Sequence, residues 1–458
     1  MAADVPGAAT ARNPAVDSGD ALLPTVWFLA WPVIVSLFSE AAVGLVDMLM
    51  VGRLGADAVA GVGVGAQILG SISVVTTAVA TGTVALVARH VGAGEPALAR
   101  RVLGQSIVAG FVLACCAVVP VVVWTPAVVR LFGVQPQVVD VGVAFTRLVV
   151  LSIPAGAVLF TIGAGLRAAG DTRTPLAIGI IMNVINVILN WVFIFGNLGA
   201  PALGVLGSAL ASTIAFTTGA VMAFSLLVRG TLRLSIRRAD LRPDRPTIAR
   251  VMRIGAPSGI EQFAMQMGFL VYLVFASRYG TAAVASYFIG VRILALSFLP
   301  GIGFATAASA LVGQNLGAGN PRGAAEAGWH ASRLAVWMMS AAGLLLFVFA
   351  TPIARLFVDD AAVVEDTRWF IYMLGLCQPF MAVDYALGGA LRGAGDTRFP
   401  LVTLFVGLYG CRLAFAWVVT HLDLSTPWLW AALIGDYATR AALKSWRFRS
   451  GAWQRVRV

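Results

Sequence analysis

Charge is scarce in this sequence. Asp, Glu, Lys and Arg make up 12% of its 458 residues, about half of the ~25% usual in soluble domains. Lysine is nearly missing, since only Lys444 among the 32 basic residues is not an arginine. Histidine occurs three times, as His90, His330 and His421, far apart in the chain. No HExxH, P-loop or CxxC spacing is present, so the usual zinc, phosphate-loop and dithiol chemistries have no ligands, and no cofactor is expected. The cysteines Cys115, Cys116, Cys377 and Cys411 all lie in apolar runs and pack as small apolar side chains rather than as a disulfide framework or metal set. No Ser/His or paired-Asp pattern supports an intramembrane protease or transferase, and no catalytic residue is assigned. The first twenty residues carry Asp4, Asp17 and Asp20 and no apolar core, which does not read as a signal peptide; the first spanning helix can serve as an uncleaved insertion signal.

Apolar sequence is what fills the chain instead. Hydrophobic residues are 59% of the total, glycine contributes 49 positions, and the mean hydropathy is +0.88. The apolar runs last about 20 residues or more, the length needed to cross a bilayer, whereas the strands of a soluble α/β protein are short and punctuated. Abundant glycine suits helices whose backbones pack closely in lipid. Twelve spanning helices are predicted, near 22–51, 58–87, 97–125, 137–165, 175–197, 203–228, 249–276, 283–311, 324–350, 365–390, 399–420 and 427–446.

The chain repeats itself. LRAAGDTRTP, from Leu166 to Pro175, returns as LRGAGDTRFP from Leu391 to Pro400, an offset of 225 residues. The same offset pairs Pro32 with Pro257, Arg53 with Arg278, Gly92-Ala93-Gly94 with Gly317-Ala318-Gly319, Pro96 with Pro321, Arg130-Leu131-Phe132 with Arg355-Leu356-Phe357 and Pro154 with Pro379. Two homologous halves follow. Six helices per half is an even number, so both halves enter the membrane from the same side and are related by a pseudo-two-fold axis along the membrane normal. The predicted fold is an all-α membrane protein of 12 transmembrane helices in two six-helix bundles. Its parts are an N-terminal tail (1–21), a first lobe (22–228), a linker (229–248), a second lobe (249–446) and a C-terminal tail (447–458).

The net charge of +11 reads as topology, since no basic groove with interleaved aromatics points to nucleic acid. Arg89, Arg100, Arg101, Arg167, Arg173, Arg322, Arg392 and Arg398 fall on one side, with the linker arginines and the C-terminal Arg440, Lys444, Arg447, Arg449, Arg455 and Arg457. The other side keeps Arg53, Arg130, Arg278, Arg355 and Arg368. The positive-inside rule then predicts cytoplasmic termini, and the linker arginines can seat on anionic lipid headgroups. In the repeated loops, Glu95, Asn320, Asp171 and Asp396 are expected to cap the helices that follow, and the loop arginines are candidates for a clasp with the acids beside them.

A few polar residues interrupt the apolar runs, and an ionisable group in a membrane marks a functional site by default. Glu40 and Asp47 lie seven residues apart in the first helix, nearly two turns, so both carboxylates point the same way. Asn183, Asn186 and Asn190 form a stripe on the fifth helix. Their carbonyls can coordinate a cation or relay hydrogen bonds to the first helix, or serve as interhelical glue. In the second half Glu261 follows Pro257 by one turn, Gln262 and Gln266 line a neighbouring face, and Asp384 precedes Tyr385 and Asp436 precedes Tyr437. Arg292 and Arg412 are embedded there too, so some of these acids are candidates for permanent pairing. Protonation or ion coupling is expected at Asp47, Glu40, Glu261 or Asp384.

The run VDMLMVGRLGADAVAGVG from Val46 to Gly63, the run LVGQNLGAGNP from Leu311 to Pro321 and the two LRxAGDTRxP loops resemble the MATE (multidrug and toxic compound extrusion) family, over nearly the whole chain. The resemblance implies two six-helix lobes flanking a cleft in a bacterial cytoplasmic membrane. It also implies alternating access that exports amphipathic, mostly cationic small molecules against H+ or Na+ by a protein functional as a monomer. It further implies that Asp47 corresponds to the first-helix aspartate of the DinF-like branch, Glu261 to the seventh-helix glutamate of the NorM-like branch and Asp384 to the latter's tenth-helix acid. The amide stripe corresponds to the fifth helix near the first-lobe ion site, and any Na+ would bind near Asp47 or Glu261. Flipping of lipid-linked precursors, or a non-transporting scaffold or receptor, are the alternatives.

Overall fold

A computed structural model describes residues 22–130 and 135–456. The expected N-terminal tail, Leu131-Phe132 of the repeat and Arg457 lie outside the described residues. Sixteen α-helices follow in order: α1 (Leu22–Gly52), α2 (Ala56–Gly92), α3 (Pro96–Arg130), α4 (Pro136–Val149), α5 (Ile153–Ala168), α6 (Arg173–Phe195), α7 (Val205–Arg229), α8 (Arg245–Ser277), α9 (Thr281–Ser297), α10 (Leu299–Gly317), α11 (Pro321–Val348), α12 (Ala350–Arg355), α13 (Ala361–Gly393), α14 (Arg398–Leu404), α15 (Ala414–His421) and α16 (Thr426–Arg449). No strand occurs among the described residues. Eleven helical stretches are long and apolar enough to cross a membrane, α4 with α5, α9 with α10 and α14 with α15 each counting as one. α16 is the twelfth by position and has 24 residues. Asp436, Arg440 and Lys444, all buried, interrupt its apolarity.

The repeated loops share one backbone solution. After α2 the Glu95 N–H reaches back to the His90 carbonyl and the Gly94 N–H to that of Val91; Asn320 to Asn315 and Gly319 to Leu316 repeat this after α10. The turns after α5 and α13 do the same through Gly170 and Gly395. Each turn needs a left-handed residue at its glycine, with φ of 72° at Gly94 and 84° at Gly170, which a side chain would strain. Capping of the next helix is only partly as expected. Asn320 accepts from the Gly323 N–H at 2.9 Å and Asp171 from the Thr174 N–H at 3.0 Å. Glu95 instead meets His90 at 2.8 Å, and Asp396 pairs with Arg447 at 2.9 Å. The loop arginines form no clasp with the neighbouring aspartates; Arg173 lies over the Phe28 ring, 4.3 Å from its centre.

The lobes meet on the side of the molecule that carries these turns, the arginine-rich face. Gly82 of α2 abuts the Val251 carbonyl of α8, and Gly255 of α8 abuts the Ala78 carbonyl of α2, with no room for a Cβ. Gly303 of α10 likewise meets Ala30 and Ile34 of α1. Positions 30 and 255, and 78 and 303, are equivalents in the repeat, so these contacts form a symmetric pair. The N-terminal part of α1 accordingly packs in the second-lobe core, through Leu22, Val26, Leu29, Ala30 and Ile34, while Ser39 and Asp47 further along touch α6. Each half thus lends its first helix to the other lobe.

Two cross-lobe hydrogen bonds complete this seal. Arg89 donates to the Ala394 carbonyl at 3.1 Å, and Gln314 donates to the Ala168 carbonyl at 2.7 Å. Arg89 and Gln314 are equivalent positions, and both acceptors belong to the duplicated LRxAGDTRxP loops. One correction to the charge reading follows from the fold. Arg440 and Lys444 are not face residues; they are 5% and 1% exposed inside the second lobe.

Candidate functional site

The first lobe gathers one carboxylate and several amides. α6 turns Asn183, Asn186 and Asn190 into the protein, all buried, because amides at spacings of three and four share one helix face. Asn190 Nδ2 donates to Asp47 Oδ1 at 2.6 Å. With its amide nitrogen turned toward α1, Asn186 donates to both Asp47 oxygens at 3.1 Å while its oxygen accepts from Ser212 Oγ at 3.3 Å. Asn190 is fully buried, and its Oδ1 has no hydrogen-bond partner. Asn183 lies further along the stripe and donates to Ser39 Oγ at 3.1 Å. Glu40 does not share the Asp47 cluster. It lines a separate small pocket of about 70 Å³ with Ser36, Arg167 and Asn183.

The second lobe treats Glu261, Asp384 and Asp436 differently, for each of these three sits against a base. Glu261 pairs with Arg392 at 2.7 Å. Asp384 is held between Lys444 at 2.6 Å and Arg440 at 2.7 Å. Asp436 meets Arg412 at 2.8 Å, and the Arg412 guanidinium also lies 5.7 Å from the Tyr272 ring centre and 5.4 Å from that of Tyr437. Glu261 and Asp384, expected as coupling groups, therefore stand as members of ion pairs rather than as free carboxylates. Gln262 and Gln266 are half-buried on α8, and Tyr385 stacks on Phe298 with ring centres 5.7 Å apart.

Sequence reasoning missed Arg440 and Lys444 as partners. The signal was present, since Asp436, Arg440 and Lys444 recur every four residues and so occupy one face of α16. It also missed the π-helix of Phe405–Leu413, which joins α14 to α15. That wider turn carries Arg412, and Gly407 within it leaves room for Asp436 and Arg440.

Between the lobes, in the half of the molecule away from the seal, lies a cavity of about 900 Å³. Its walls are mainly apolar, with Met48, Phe145, Phe160, Phe216, Leu296 and Phe357 among them. Two charged residues line it, Asp47 from the first lobe and Arg292 from the second. Such a chamber, apolar with a few polar groups, suits an amphipathic small molecule. Among the described residues no group of three or more His, Cys, Asp or Glu could hold a metal ion.

The family model described as MatE matches the chain twice, over residues 32–192 and 257–418. The matches begin at Pro32 and Pro257, a pair already joined by the internal repeat. A Thermotoga maritima protein named probable multidrug resistance protein NorM is 30% identical over 439 residues, covering 94% of this chain and 93% of the relative. The multidrug resistance protein NorM of Burkholderia vietnamiensis is 30% identical over 434 residues, covering 92% of each. Among solved structures, a MATE protein in complex with MaL6 superposes with a TM-score of 0.88 at 20% identity, over 96% of this chain and 98% of the other. A Pyrococcus furiosus transporter of the MOP superfamily, described as having a binding pocket of reverse polarity, gives 0.86 at 21% identity over 96% of each chain. With both halves matched and full-length relatives named as multidrug resistance proteins rather than as enzymes, this chain belongs to the MatE family of multi-pass membrane transporters.

Proposed function

We propose that the chain is a secondary antiporter that exports amphipathic small molecules by alternating access in exchange for H+ or Na+, and that Asp47 is its coupling group. One observation carries this reading: Asp47 has amides for partners and faces the cavity, whereas Glu261, Asp384 and Asp436 are each held by a base. A carboxylate among amides has no fixed counter-charge and can accept a proton or a bare cation; one bound to arginine already has its cation. The unpartnered Asn190 Oδ1 supplies the complement. With the Asn190 amide turned over, so that this oxygen rather than Nδ2 faces Asp47, it can accept from a protonated Asp47 or join the Asp47 carboxylate around Na+.

Coupling then runs through α1. Its C-terminal half carries Asp47 to α6, and its N-terminal half lies in the core of the other lobe. An ion bound at Asp47 replaces the amide-to-carboxylate hydrogen bonds, changes how α1 sits on α6, and so changes how the lobes meet. By the positive-inside rule the arginine-rich face is cytoplasmic, which places both termini inside a bacterial inner membrane and leaves the cavity on the outer side.

The test is efflux of a fluorescent amphipath from proteoliposomes under a proton gradient and then under a sodium gradient at fixed pH. Drive by one gradient, lost in Asp47→Asn, is the expected result and names the ion. Full drive in Asp47→Asn would remove Asp47 from the coupling step, and no movement under either gradient would overturn antiport.

A further inference from the structure

Arg292 has no place in the mechanism above. It sits at the start of the fourth turn of α9, about 16 Å along the helix from its start at Thr281, well inside the span formed by α9 and α10. An arginine at that depth is costly unless it pairs or faces water. Among the described residues it makes no ion pair or side-chain hydrogen bond, and its side chain is exposed to the cavity. The other embedded arginines of this lobe, Arg412 and Arg440, are bound to aspartates. The repeat adds a second observation. The position equivalent to Arg292 is Gln67, which also lines the cavity, so this register faces the cleft from both lobes and bears a charge only in the second.

We infer that Arg292 is the anion-recognising residue of the cleft, and that the transported molecule is a zwitterionic amphipath with an acid group for Arg292 and a basic group for Asp47. This deepens the antiport reading and rests on it. Charge arithmetic selects the zwitterion. A plain anion would be repelled by ionised Asp47 and would favour its protonation, so the two would bind together, which is symport. A plain cation satisfies Asp47 and leaves Arg292 facing an apolar body. A zwitterion satisfies both ends at once when Asp47 is ionised, and arrival of H+ or Na+ at Asp47 displaces only its basic end, which is the competition exchange requires. A guanidinium meets a carboxylate through two parallel hydrogen bonds, so recognition is directional as well as electrostatic.

The experiment uses three fluorescent compounds built on one aromatic body, bearing an amine alone, an amine with a carboxylate, or an amine with the methyl ester of that carboxylate. Binding is measured to the purified full chain and gradient-driven efflux to proteoliposomes, for the wild type, Arg292→Gln and Arg292→Lys. The wild type is expected to bind the amine-carboxylate about ten- to a hundredfold more tightly than its ester, the range of a charge-assisted hydrogen-bonded contact. Arg292→Gln should abolish that ratio, bind the amine-only compound at least as tightly as the wild type does because a like charge has left the cavity, and be partly rescued by Arg292→Lys. Equal affinity of the wild type for acid and ester would overturn the inference. So would an Arg292→Gln variant that weakens all three compounds alike, or one that alters ion coupling and keeps the ratio, since Arg292 would then be structural or a counter-ion to Asp47. In each of those cases driven efflux of the amine-only compound would leave antiport standing; failure of all three to move under any gradient would overturn antiport itself.

Discussion

A carboxylate inside a membrane needs company, and the two lobes supply it differently. Arg412 and Asp436 are a buried pair, with side chains 2% and 1% exposed, so removing one leaves a bare charge at a cost of about 3–5 kcal/mol, while replacing both with apolar groups of similar volume can be neutral. Arg412→Met is therefore expected to lower the melting temperature in detergent sharply, and Arg412→Met with Asp436→Leu to recover much of the loss. Under the coupling role proposed for Asp47, its supporting amide matters to coupling more than to folding. Asn190→Leu should slow gradient-driven efflux about tenfold or more, the usual effect of losing a group that orients an ion ligand, with the protein still well folded by thermal melting. Asp47 and the asparagine stripe were legible because helical periodicity alone puts Asn183, Asn186 and Asn190 on one face. The base beside Asp384 was not, since α13 and α16 meet through a fold that no local spacing reports. Arg292 was legible as an oddity, but its cleft-facing register required the packed helices.

At the level of elements, hydropathy located the spans to within a few residues, because a membrane helix is selected by length and apolarity. It could not see that the eighth span breaks between α9 and α10 ahead of Pro300, or that the eleventh relaxes into a π-helix. Those depend on which backbone groups the neighbouring helices can satisfy. Nor did the abundance of glycine say which glycines matter. Gly255 does, because a Cβ there meets a main-chain carbonyl of α2 rather than a yielding side chain. Gly255→Ala should widen the α2–α8 contact and shift the lobes away from the sealed arrangement, seen as longer distances between spin labels placed on the arginine-rich ends of the two lobes. Gly44, which has open space around it, should accept alanine with no such change.

For the whole molecule, the duplicated loops were plain in the sequence and their purpose was not. They supply the carbonyls that Arg89 and Gln314 grasp across the lobe boundary. Losing both donors, in Arg89→Ala with Gln314→Ala, is expected to raise the fraction of molecules with an open arginine-rich face, measured as faster labelling of a cysteine introduced at Ala78, while Arg89→Gln should stay close to the wild type. Ala88 and Gly313 are equivalents in the repeat and touch one another, as two such positions can only where the pseudo-two-fold axis passes between them. Lobes that part symmetrically about that axis stretch the Arg89 contact and the Gln314 contact equally. Under the alternating access proposed above, the two are then expected to release together, with no stage at which one side has parted and the other holds, so that opening of this face is one event rather than two.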